Sequence, residues 1–421
     1  MPITAIIAIV VILLAVWALA KQYETRLVLL GAGLLLCLIS FDPLRGLRAF
    51  SASMTNSAMI LAICGASGFA YAISYTKADR CLVYYISRPI KNLGIFLIPI
   101  ATIITFLINI AIPAAVGCGA IVGATLIPVL LRAGITPAGA ATAILGGTVG
   151  SLLSPGLSHN AFISEMAGMS IVDLIAMHAP YSIMVGAISA VGLLIVCWFL
   201  GDHKGERMNM EADKLDFTPN PINALVPLVP IIILVAGTFW FPELKIDVAQ
   251  AMLIGSVVAL LVALCINKPN AQDFCKEFFR GMGNSYGAIM GIIVAAGVFA
   301  AGITASGLVQ VLIDAMIEAN DIARWAGSLG PFVLSVIVGS GDAGAMAFNQ
   351  TVTPHAAQFN MTIEGLGSLA FIAGAAGRTA SPISGACVML AAMAGTNPLQ
   401  MAKRTFIPMT IAAICLALFM G

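Results

Sequence analysis

Charged residues are scarce in this sequence: only 9% of its 421 residues are Asp, Glu, Lys or Arg, while 60% are hydrophobic. A soluble domain carries roughly 25% charged residues, so this scarcity excludes a soluble enzyme and indicates a chain solvated by the lipid bilayer. The formal net charge is +1, which leaves no acidic or basic excess to attract a nucleic acid. We expect an all-α polytopic membrane protein with no nucleic-acid partner.

Common catalytic and metal-binding motifs are also missing. The sequence has no His-Glu-x-x-His, no P-loop and no dinucleotide fingerprint, and its nine cysteines form no Cys-x-x-Cys. An odd number of cysteines, mostly within apolar runs, favours small core residues over disulfides or metal ligands. We therefore expect no enzymatic activity, no cofactor and no metal.

The sequence repeats itself at a spacing of about 227 residues. Segment 147–168 aligns with 374–395, and both contain a Ser-Pro pair, at Ser154 and Ser381. Other segments keep the same order and nearly the same offset, which favours tandem duplication over chance similarity among membrane helices. We predict a first repeat at 1–200, a cytoplasmic linker at 201–222 and a second repeat at 223–421.

Apolar stretches of membrane-spanning length occur at matching places in the two halves. They fall at 3–20, 27–40, 58–76, 94–112, 138–154 and 180–200, then at 223–240, 248–266, 286–308, 327–338, 364–380 and 405–420. Residues 3–20 resemble a signal peptide, but no Lys or Arg precedes them and no cleavage motif follows, so we expect the segment to be retained.

Gly- and Pro-rich segments follow the fourth apolar stretch of each half, at 113–134 and 339–358. We interpret each as the tip and return arm of a re-entrant hairpin whose entering arm is the stretch before it, with full spans as the alternative at 94–134 and 327–358. Five full spans and one hairpin per half would give two repeats of inverted topology, because five is an odd number.

The distribution of Lys and Arg predicts the orientation. With the N-terminus outside, 15 of the 20 Lys and Arg residues lie inside and four lie outside, while Arg378 falls within the membrane. Cytoplasmic loops are enriched in these residues, so both termini are expected in the periplasm. Segments 77–92 and 309–326 mix charged and apolar residues at helical spacing, which is typical of helices lying in the membrane interface.

The functional site is expected where helices break within the membrane, since a break exposes backbone groups that lipid cannot satisfy. The N-terminus of a half-helix favours an anion, and free carbonyl groups favour a cation. In the first half the predicted binding residues are Gly117, Cys118, Gly119, Ser154, Pro155, Ser158, His159 and Asn160. In the second half they are Ser340, Gly341, Asp342, Asn349, Arg378, Thr379, Ser381, Pro382 and Ser384.

Three of these residues carry or can acquire charge. A central Arg or Asp costs about 2.5–3.5 kcal/mol on insertion scales, so we expect Arg378 to bind a substrate carboxylate, with an ion pair to Asp342 as the structural alternative. Asp342 and His159 are candidates for coupling to a proton or cation. A hydrogen-bonded core histidine is the alternative for His159.

A further short motif, Gly-Ala-Ser-Gly at 65–68, matches the surroundings of the serine in rhomboid intramembrane proteases. Such a serine needs a histidine from another helix, and in the repeat Ser67 aligns with Ala296. We favour small-residue helix packing, and a Ser67→Ala variant would separate the two interpretations.

The run AAGRTASPISGACVMLAAMAGTNPLQMAKRTFIP at 375–408 resembles the C-terminal signature of the anaerobic C4-dicarboxylate carriers of the DcuC type. Segments 164–183 and 280–303 are also similar to that family. The resemblance implies membership of the ion-transporter superfamily that includes divalent-anion symporters, with homodimers, an elevator-like transport domain and a bacterial inner-membrane location.

By the same resemblance, the scaffold would comprise 1–76 and 223–308, and the transport domain 93–200 and 327–421, joined by the interfacial segments. Two positions depart from the family pattern: His159 stands where an acid is usual, and Asp342 where an amide is usual. The Gly-Arg-Thr-x-Ser-Pro motif at 377–382 is kept.

We therefore expect a secondary carrier for a C4-dicarboxylate such as succinate, fumarate or malate, driven by a proton, a sodium ion or exchange. The alternatives are a carrier for an amino acid or another carboxylate, and a passive channel.

Overall fold

A computed structural model of the chain describes residues 3–21, 23–55, 57–87, 94–205, 218–239, 246–266, 269–309, 311 and 322–420. All regular secondary structure in these ranges is helical. Seven of the described helices are long and apolar enough to cross a membrane, and a helix pair sharply bent at 360–362 would make an eighth. The predicted all-α polytopic class is confirmed.

The first half contains helices at every predicted apolar stretch. They are α1 (Ile3–Ala20), α2 (Thr25–Ile39), α3 (Pro43–Met54), α4 (Ser57–Tyr75), α5 (Ala78–Ser87), α6 (Leu97–Ala111), α7 (Ala115–Arg132), α8 (Pro137–Gly147), α9 (Ser158–Ala167) and α10 (Ile171–Phe199). Helix α10 begins nine residues before the predicted span at 180–200. Ser170 caps its N-terminus by accepting a hydrogen bond from the N–H of Asp173, and Pro180 lies inside the helix.

The second half follows the same order. Its helices are α11 (Pro221–Leu225), α12 (Val229–Phe239), α13 (Val248–Ile266), α14 (Ala271–Ser285), α15 (Gly291–Ala305), α16 (Ile322–Val338), α17 (Gly341–Thr351), α18 (Ile363–Ala380), α19 (Gly385–Ala394) and α20 (Pro398–Phe419). A π-helical turn at Tyr286–Met290 joins α14 to α15. The predicted span at 286–308 is therefore the second part of one 35-residue helix, Ala271–Ala305.

The two predicted hairpins differ in length. Helix α7 has 18 residues and is long enough to span, whereas α17 has 11 residues and leads into a 3-10 segment at Thr353–Phe359. A helix of 11 residues rises only about 16 Å, roughly half the hydrocarbon thickness. This length favours a re-entrant arm in the second half, while the choice between hairpin and full spans stays a prediction.

Both Ser-Pro pairs interrupt helices. The chain leaves α8 at Gly147, forms a 3-10 turn at Gly150–Leu153 and starts α9 at Ser158. In the second half α18 ends at Ala380 and α19 starts at Gly385. These breaks lie at the positions predicted from the sequence.

Matching glycines bring the two broken helices against their neighbours. A Cβ atom on Gly150 would lie 2.0 Å from the carbonyl oxygen of Phe106, and one on Gly377 would lie 2.2 Å from that of Phe332. Each glycine therefore permits a backbone contact that no other residue would fit. The equivalence of the two contacts supports a common origin of the two halves.

Packing in the described part of the chain follows two groups of helices. Helix α4 packs against α13 and α14, and α15 packs against α2 and α3. In the other group, α8 packs against α6 and α19, and α18 packs against α16, α17 and α20. Helix α4 also contacts α9, and α15 contacts α17. The two groups therefore meet at the first break and at the predicted second hairpin.

The predicted linker and interfacial segments lie partly outside the described residues. Residues 206–217 of the linker are among these, as are 88–92 of the first interfacial segment and 310 and 312–321 of the second. The described part of the first interfacial segment forms α5. The division into scaffold, arms and transport domain stays a prediction.

Candidate functional site

Four helix N-termini meet at a cavity of about 340 Å³. Its walls include the starts of α7, α9, α17 and α19, through Ala115, Ser158, Gly341 and Gly385. The helices that follow the two Ser-Pro breaks and the helices that begin the two Gly-rich segments therefore start at one cavity. Helix α4 closes one side of the cavity.

The backbone N–H groups at three of these helix starts have no side-chain cap. Ala114, Leu157 and Ser384 precede α7, α9 and α19, and none of them accepts a hydrogen bond from the first turn through its side chain. Each N-terminus carries the positive end of a helix dipole. Uncapped N–H groups directed at one cavity form a site for an anion.

Arg378 adds a full positive charge to this wall. It lies in the last turn of α18, three residues before Ser381, and lines the cavity. Its Nη2 donates to the carbonyl oxygen of Thr148 at 3.0 Å, which joins the second-half arginine to the first break. Within the described residues its other N–H groups have no protein acceptor, so a guanidinium fork is available to a carboxylate.

His159 and Asp342 form an ion pair at the edge of the cavity. Nε2 of His159 contacts Oδ1 of Asp342, and the histidine side chain is 6% exposed while the aspartate is 44% exposed. The imidazole stacks on Phe371 of α18, with ring centroids 3.8 Å apart and planes inclined by 8°. Nδ1 has no hydrogen-bond partner among the residues described.

The predicted alternative for Arg378, an ion pair with Asp342, is not formed. In the described part of the chain the carboxylate pairs with His159, and no oxygen of Asp342 lies within 4.0 Å of the Arg378 guanidinium. Both charges nevertheless line the same cavity, as do Ser158, Ser340 and Gly341.

The first predicted hairpin tip lies a few residues earlier than expected. Residues Pro113–Val116 line the cavity, whereas Gly117, Cys118 and Gly119 do not. Cys118 is fully buried, and a Cβ atom on Gly119 would meet Met389 at 3.2 Å. Gly119 therefore packs α7 against α19, and all three residues lie inside the helix, which has already begun at Ala115.

Several predicted residues of the first break support the cavity rather than line it. Ser154 Oγ accepts from the N–H of Gly156 at 3.3 Å. Nδ2 of Asn160 donates to the carbonyl oxygens of Leu152 and Ser154 at 2.8 and 2.9 Å. Pro155 is also absent from the walls. These groups satisfy the backbone polar atoms that the break leaves without helical partners.

The second break is organised in the same way. Ser381 Oγ donates to the carbonyl oxygen of Val336 at 2.8 Å, and Ser384 Oγ donates to that of Ser381 at 3.2 Å. Thr379 bonds back to Ala375 at 2.9 Å.

Two other predicted residues of the second half also stay off the cavity wall. Asn349 Nδ2 donates to the carbonyl oxygen of Gly367 at 3.1 Å. It therefore joins α17 to α18. Pro382, like Asn349, is not part of the wall.

Ser67 is a wall residue that the sequence reasoning did not place in the site. It lines the cavity from α4 together with Ala66 and Ala70, and its hydroxyl is in hydrogen-bond contact with that of Ser285. The surrounding motif serves helix packing, since a Cβ atom on Gly68 would meet Phe278 at 2.8 Å. The Gly-Ala-Ser-Gly motif marked this position, but only the packed helices reveal its exposure to the cavity.

Comparison with known proteins identifies the family. Residues 51–420 match the C4-dicarboxylate anaerobic carrier family, DcuC. The chain belongs to this family. The resemblance inferred from the sequence is confirmed, and so is the expectation that the protein is a transporter and not an enzyme. It is a multi-pass protein of the inner membrane.

Individual relatives agree with this assignment. A putative uncharacterized transporter of Haemophilus influenzae is 42% identical over 283 residues, covering 64% of this chain and all of the relative. The anaerobic C4-dicarboxylate transporter DcuC of Escherichia coli K12 is 28% identical over 376 residues, which is 85% of this chain and 78% of that protein.

Solved structures share the fold. The YdaH transporter of Alcanivorax borkumensis superposes with a TM-score of 0.62 at 14% identity, over 90% of this chain and 89% of its own. MtrF of Neisseria gonorrhoeae, described as illuminating a class of antimetabolite efflux pumps, gives 0.56 at 13% identity, over 89% and 83%.

Proposed function

We propose that this DcuC-family protein is a secondary carrier of C4-dicarboxylates such as succinate, fumarate or malate. The observation that carries the proposal is the convergence of Arg378 and the uncapped N-termini of α7, α9 and α19 on one cavity. The names of the relatives in this family support the same substrate class.

The two carboxylates would be bound by different kinds of donor. The planar guanidinium of Arg378 can hold one carboxylate through two parallel hydrogen bonds. The second carboxylate would take backbone N–H groups at the helix starts, where the dipoles favour negative charge. The first half contributes the starts of α7 and α9, and the second half contributes Arg378 and the start of α19, so both repeats would be needed for binding.

Coupling would use the His159–Asp342 pair. When His159 is protonated and Asp342 is ionised, the pair is neutral overall, and the net positive charge of the cavity comes from Arg378. Binding or release of one proton changes this balance and therefore the affinity for an anion. A sodium ion held by carbonyl groups at the breaks, or exchange of one dicarboxylate for another, is the alternative driving mechanism.

Alternating access would follow an elevator mechanism in a homodimer. The transport domain, 93–200 and 327–421, would move against a scaffold of 1–76 and 223–308, with 77–92 and 309–326 as connections. The contact between the two helix groups beside the cavity supports the division into two bodies, and the equivalent glycine contacts support the repeat. In two inverted repeats each half can adopt the conformation of the other, which exchanges inward-open and outward-open states. Both termini would face the periplasm.

A carrier for an amino acid is the second candidate, and one observation favours it. Asp342 lines the cavity with a half-exposed carboxylate, and this group can pair with a substrate ammonium while Arg378 binds the α-carboxylate. Aspartate-like and neutral amino acids would then compete with dicarboxylates.

Counterflow in proteoliposomes tests these functions. Vesicles preloaded with unlabelled succinate should accumulate labelled succinate transiently and saturably, and fumarate or malate should compete. Butyrate, which has the same carbon chain but one carboxylate, should not compete. Non-saturable flux would indicate a channel, and competition by amino acids alone would replace the dicarboxylate assignment with the second candidate.

A further inference from the structure

A buried chain of hydrogen bonds connects the middle of α10 to the first break. Nε2 of His178 lies 3.2 Å from Oδ1 of Asn160, and its Nδ1 lies 3.0 Å from Oγ of Ser182. His178 is 1% exposed, Ser182 is fully buried and Asn160 is 5% exposed. None of the three belongs to the cavity wall, so these hydrogen bonds lie behind the site.

The partners of Asn160 determine where the proton of His178 lies. Nδ2 of Asn160 already donates to the carbonyl oxygens of Leu152 and Ser154, so Oδ1 is the atom that faces the imidazole. A carbonyl oxygen only accepts, and therefore Nε2 carries the proton and donates it. In the neutral ring Nδ1 then accepts from the hydroxyl of Ser182, which fixes one tautomer and one ring orientation.

This arrangement holds the amide of Asn160 between two carbonyl groups of the non-helical stretch. Leu152 and Ser154 precede the Pro155 turn, whereas Asn160 lies in the first turn of α9. The amide therefore joins the two sides of the break. Without the donor on His178, Oδ1 would be buried with no partner, and the amide would rotate or draw away from the carbonyl groups.

We propose that His178 is a positioning residue for the substrate site. Through Asn160 it holds the start of α9, so that Ser158 and His159 face the cavity. This inference rests on the proposed function, because the substrate is assumed to bind at that helix start. The second half has no equivalent in sequence, because at the repeat offset of about 227 Asn160 aligns with Cys387 and His178 aligns with Thr405.

Three substitutions at His178 distinguish the effect of its Nε2–H donor from the effect of its side-chain volume. His178→Gln places an N–H near the position of Nε2, His178→Asn reaches only the position of Nδ1, and His178→Leu has no donor. We expect the Asn and Leu variants to raise the KM for succinate counterflow about tenfold, as loss of one buried hydrogen-bond partner implies, with a smaller change in maximal rate. The Gln variant should restore KM to within about threefold.

Ser189→Ala is the matched control. Ser189 is also buried on α10, and its hydroxyl donates to the carbonyl oxygen of Gly146 at 2.9 Å. This variant loses a comparable hydrogen bond to the last turn of α8, on the other side of the break from α9, and should keep the wild-type KM. A wild-type KM in His178→Leu, or equal losses in His178→Gln and His178→Leu, would overturn the proposal.

A second readout does not depend on the identity of the substrate. Single cysteines are introduced as Ser158→Cys at the start of α9 or Ala386→Cys at the start of α19, in a background without the nine native cysteines. The rate at which each reacts with a small cationic methanethiosulfonate measures the accessibility of that helix start. His178→Leu should change the rate at position 158 at least about fivefold and leave that at position 386 unchanged. Unchanged rates at both positions would refute the inference, whereas a failure of succinate transport with a changed rate at 158 would refute only the proposed function.

Discussion

His159 and Asp342 lie in different halves of the chain, and Nε2 of the first contacts Oδ1 of the second. The imidazole is fixed by stacking on Phe371, while the carboxylate is half exposed to the cavity. This pair therefore joins the two repeats at the same cavity that Arg378 lines.

Replacing the acid of this pair should uncouple transport. If Asp342 carries the coupled proton, Asp342→Asn should abolish succinate accumulation driven by a pH gradient yet allow counterflow between equal concentrations. Both assays are made in proteoliposomes, and Asp273→Asn, an exposed aspartate paired with Lys276, serves as the control. Gradient-driven accumulation that persists in Asp342→Asn would remove this residue from coupling, and sodium-dependent uptake at fixed pH would point to a cation site at the breaks.

The buried pair of Asp202 and Arg404 should contribute strongly to the stability of the fold. Arg404 Nε and Nη2 donate to Oδ2 and Oδ1 of Asp202 at 2.8 and 2.7 Å, and Asp202 is fully buried. Removing one member of a buried pair costs about 3–5 kcal/mol, so Asp202→Asn should lower the thermal unfolding temperature strongly. Asp273→Asn, which disrupts a surface pair, should cost less than about 1 kcal/mol.

The pair of Asp202 and Arg404 also predicts that the protein loses folding stability at acidic pH. Burial by itself raises the pKa of Asp202, but the hydrogen bonds from Arg404 and Thr136 outweigh it and hold the pKa below the usual value of 3.8. The carboxylate therefore stabilises the fold above the unfolded pKa, and this contribution is lost as pH falls through the lower folded pKa. Thermal unfolding below pH 4 should show the loss in wild type and not in Asp202→Asn; a parallel loss in the variant would contradict the assignment.

Asp79 predicts the opposite pH dependence. It lies on α5, outside the membrane-spanning helices, and is 2% exposed. Burial raises its pKa from 3.8 to about 6. A raised carboxyl pKa contributes stability that is complete below pH 3.8 and lost as pH rises through about 6, an effect of roughly 3 kcal/mol. Asp79→Asn should gain thermal stability relative to wild type between pH 4 and 7; a constant difference over this range would contradict the prediction.

Relative motion of the two helix groups can be tested at Gly156. A Cβ atom on Gly156 would lie 3.1 Å from that of Ala66 on α4, so a small outward shift would reach the separation of about 3.5–4.5 Å found in disulfides. In a cysteine-free background, Gly156→Cys with Ala66→Cys should crosslink and block transport until reduced. Pairs of Gly156→Cys with positions one or two turns along α4 should also crosslink if the break slides past the helix. Full transport with the Ala66 pair locked would refute the elevator.

The general architecture was predictable because membrane spans and breaks depend on local sequence. Apolar length predicts the membrane-spanning stretches but not the shorter, more polar helices α3 and α14, and Ser-Pro pairs predict both interruptions. The π-helical turn before α15 was not predicted, and its Gly287 carbonyl oxygen accepts a hydrogen bond at 2.8 Å from Nη1 of Arg26, which is distant in sequence. The start of α10 at Ile171 is set by the Ser170 cap, a local signal that apolar length alone does not contain.

The site was predictable to the extent that its residues are costly in a membrane. Arg378, His159 and Asp342 were identified by charge, and all three line the cavity. The small polar residues could not be sorted in the same way: Ser67 faces the cavity while Ser154 and Ser381 bond within the breaks. Which face a serine presents depends on how helices pack, and this is not visible in a single sequence.

Direct binding of succinate to purified Arg378 variants tests the central claim. Isothermal titration of the wild type should detect binding, and Arg378→Ala should weaken it by roughly 10- to 100-fold, because two charge-assisted hydrogen bonds are lost. Arg378→Lys should restore little, since a point charge does not reproduce the guanidinium fork. Arg48→Ala, which removes an exposed arginine of α3, should bind like the wild type. Wild-type affinity in a folded Arg378→Ala protein would contradict the account.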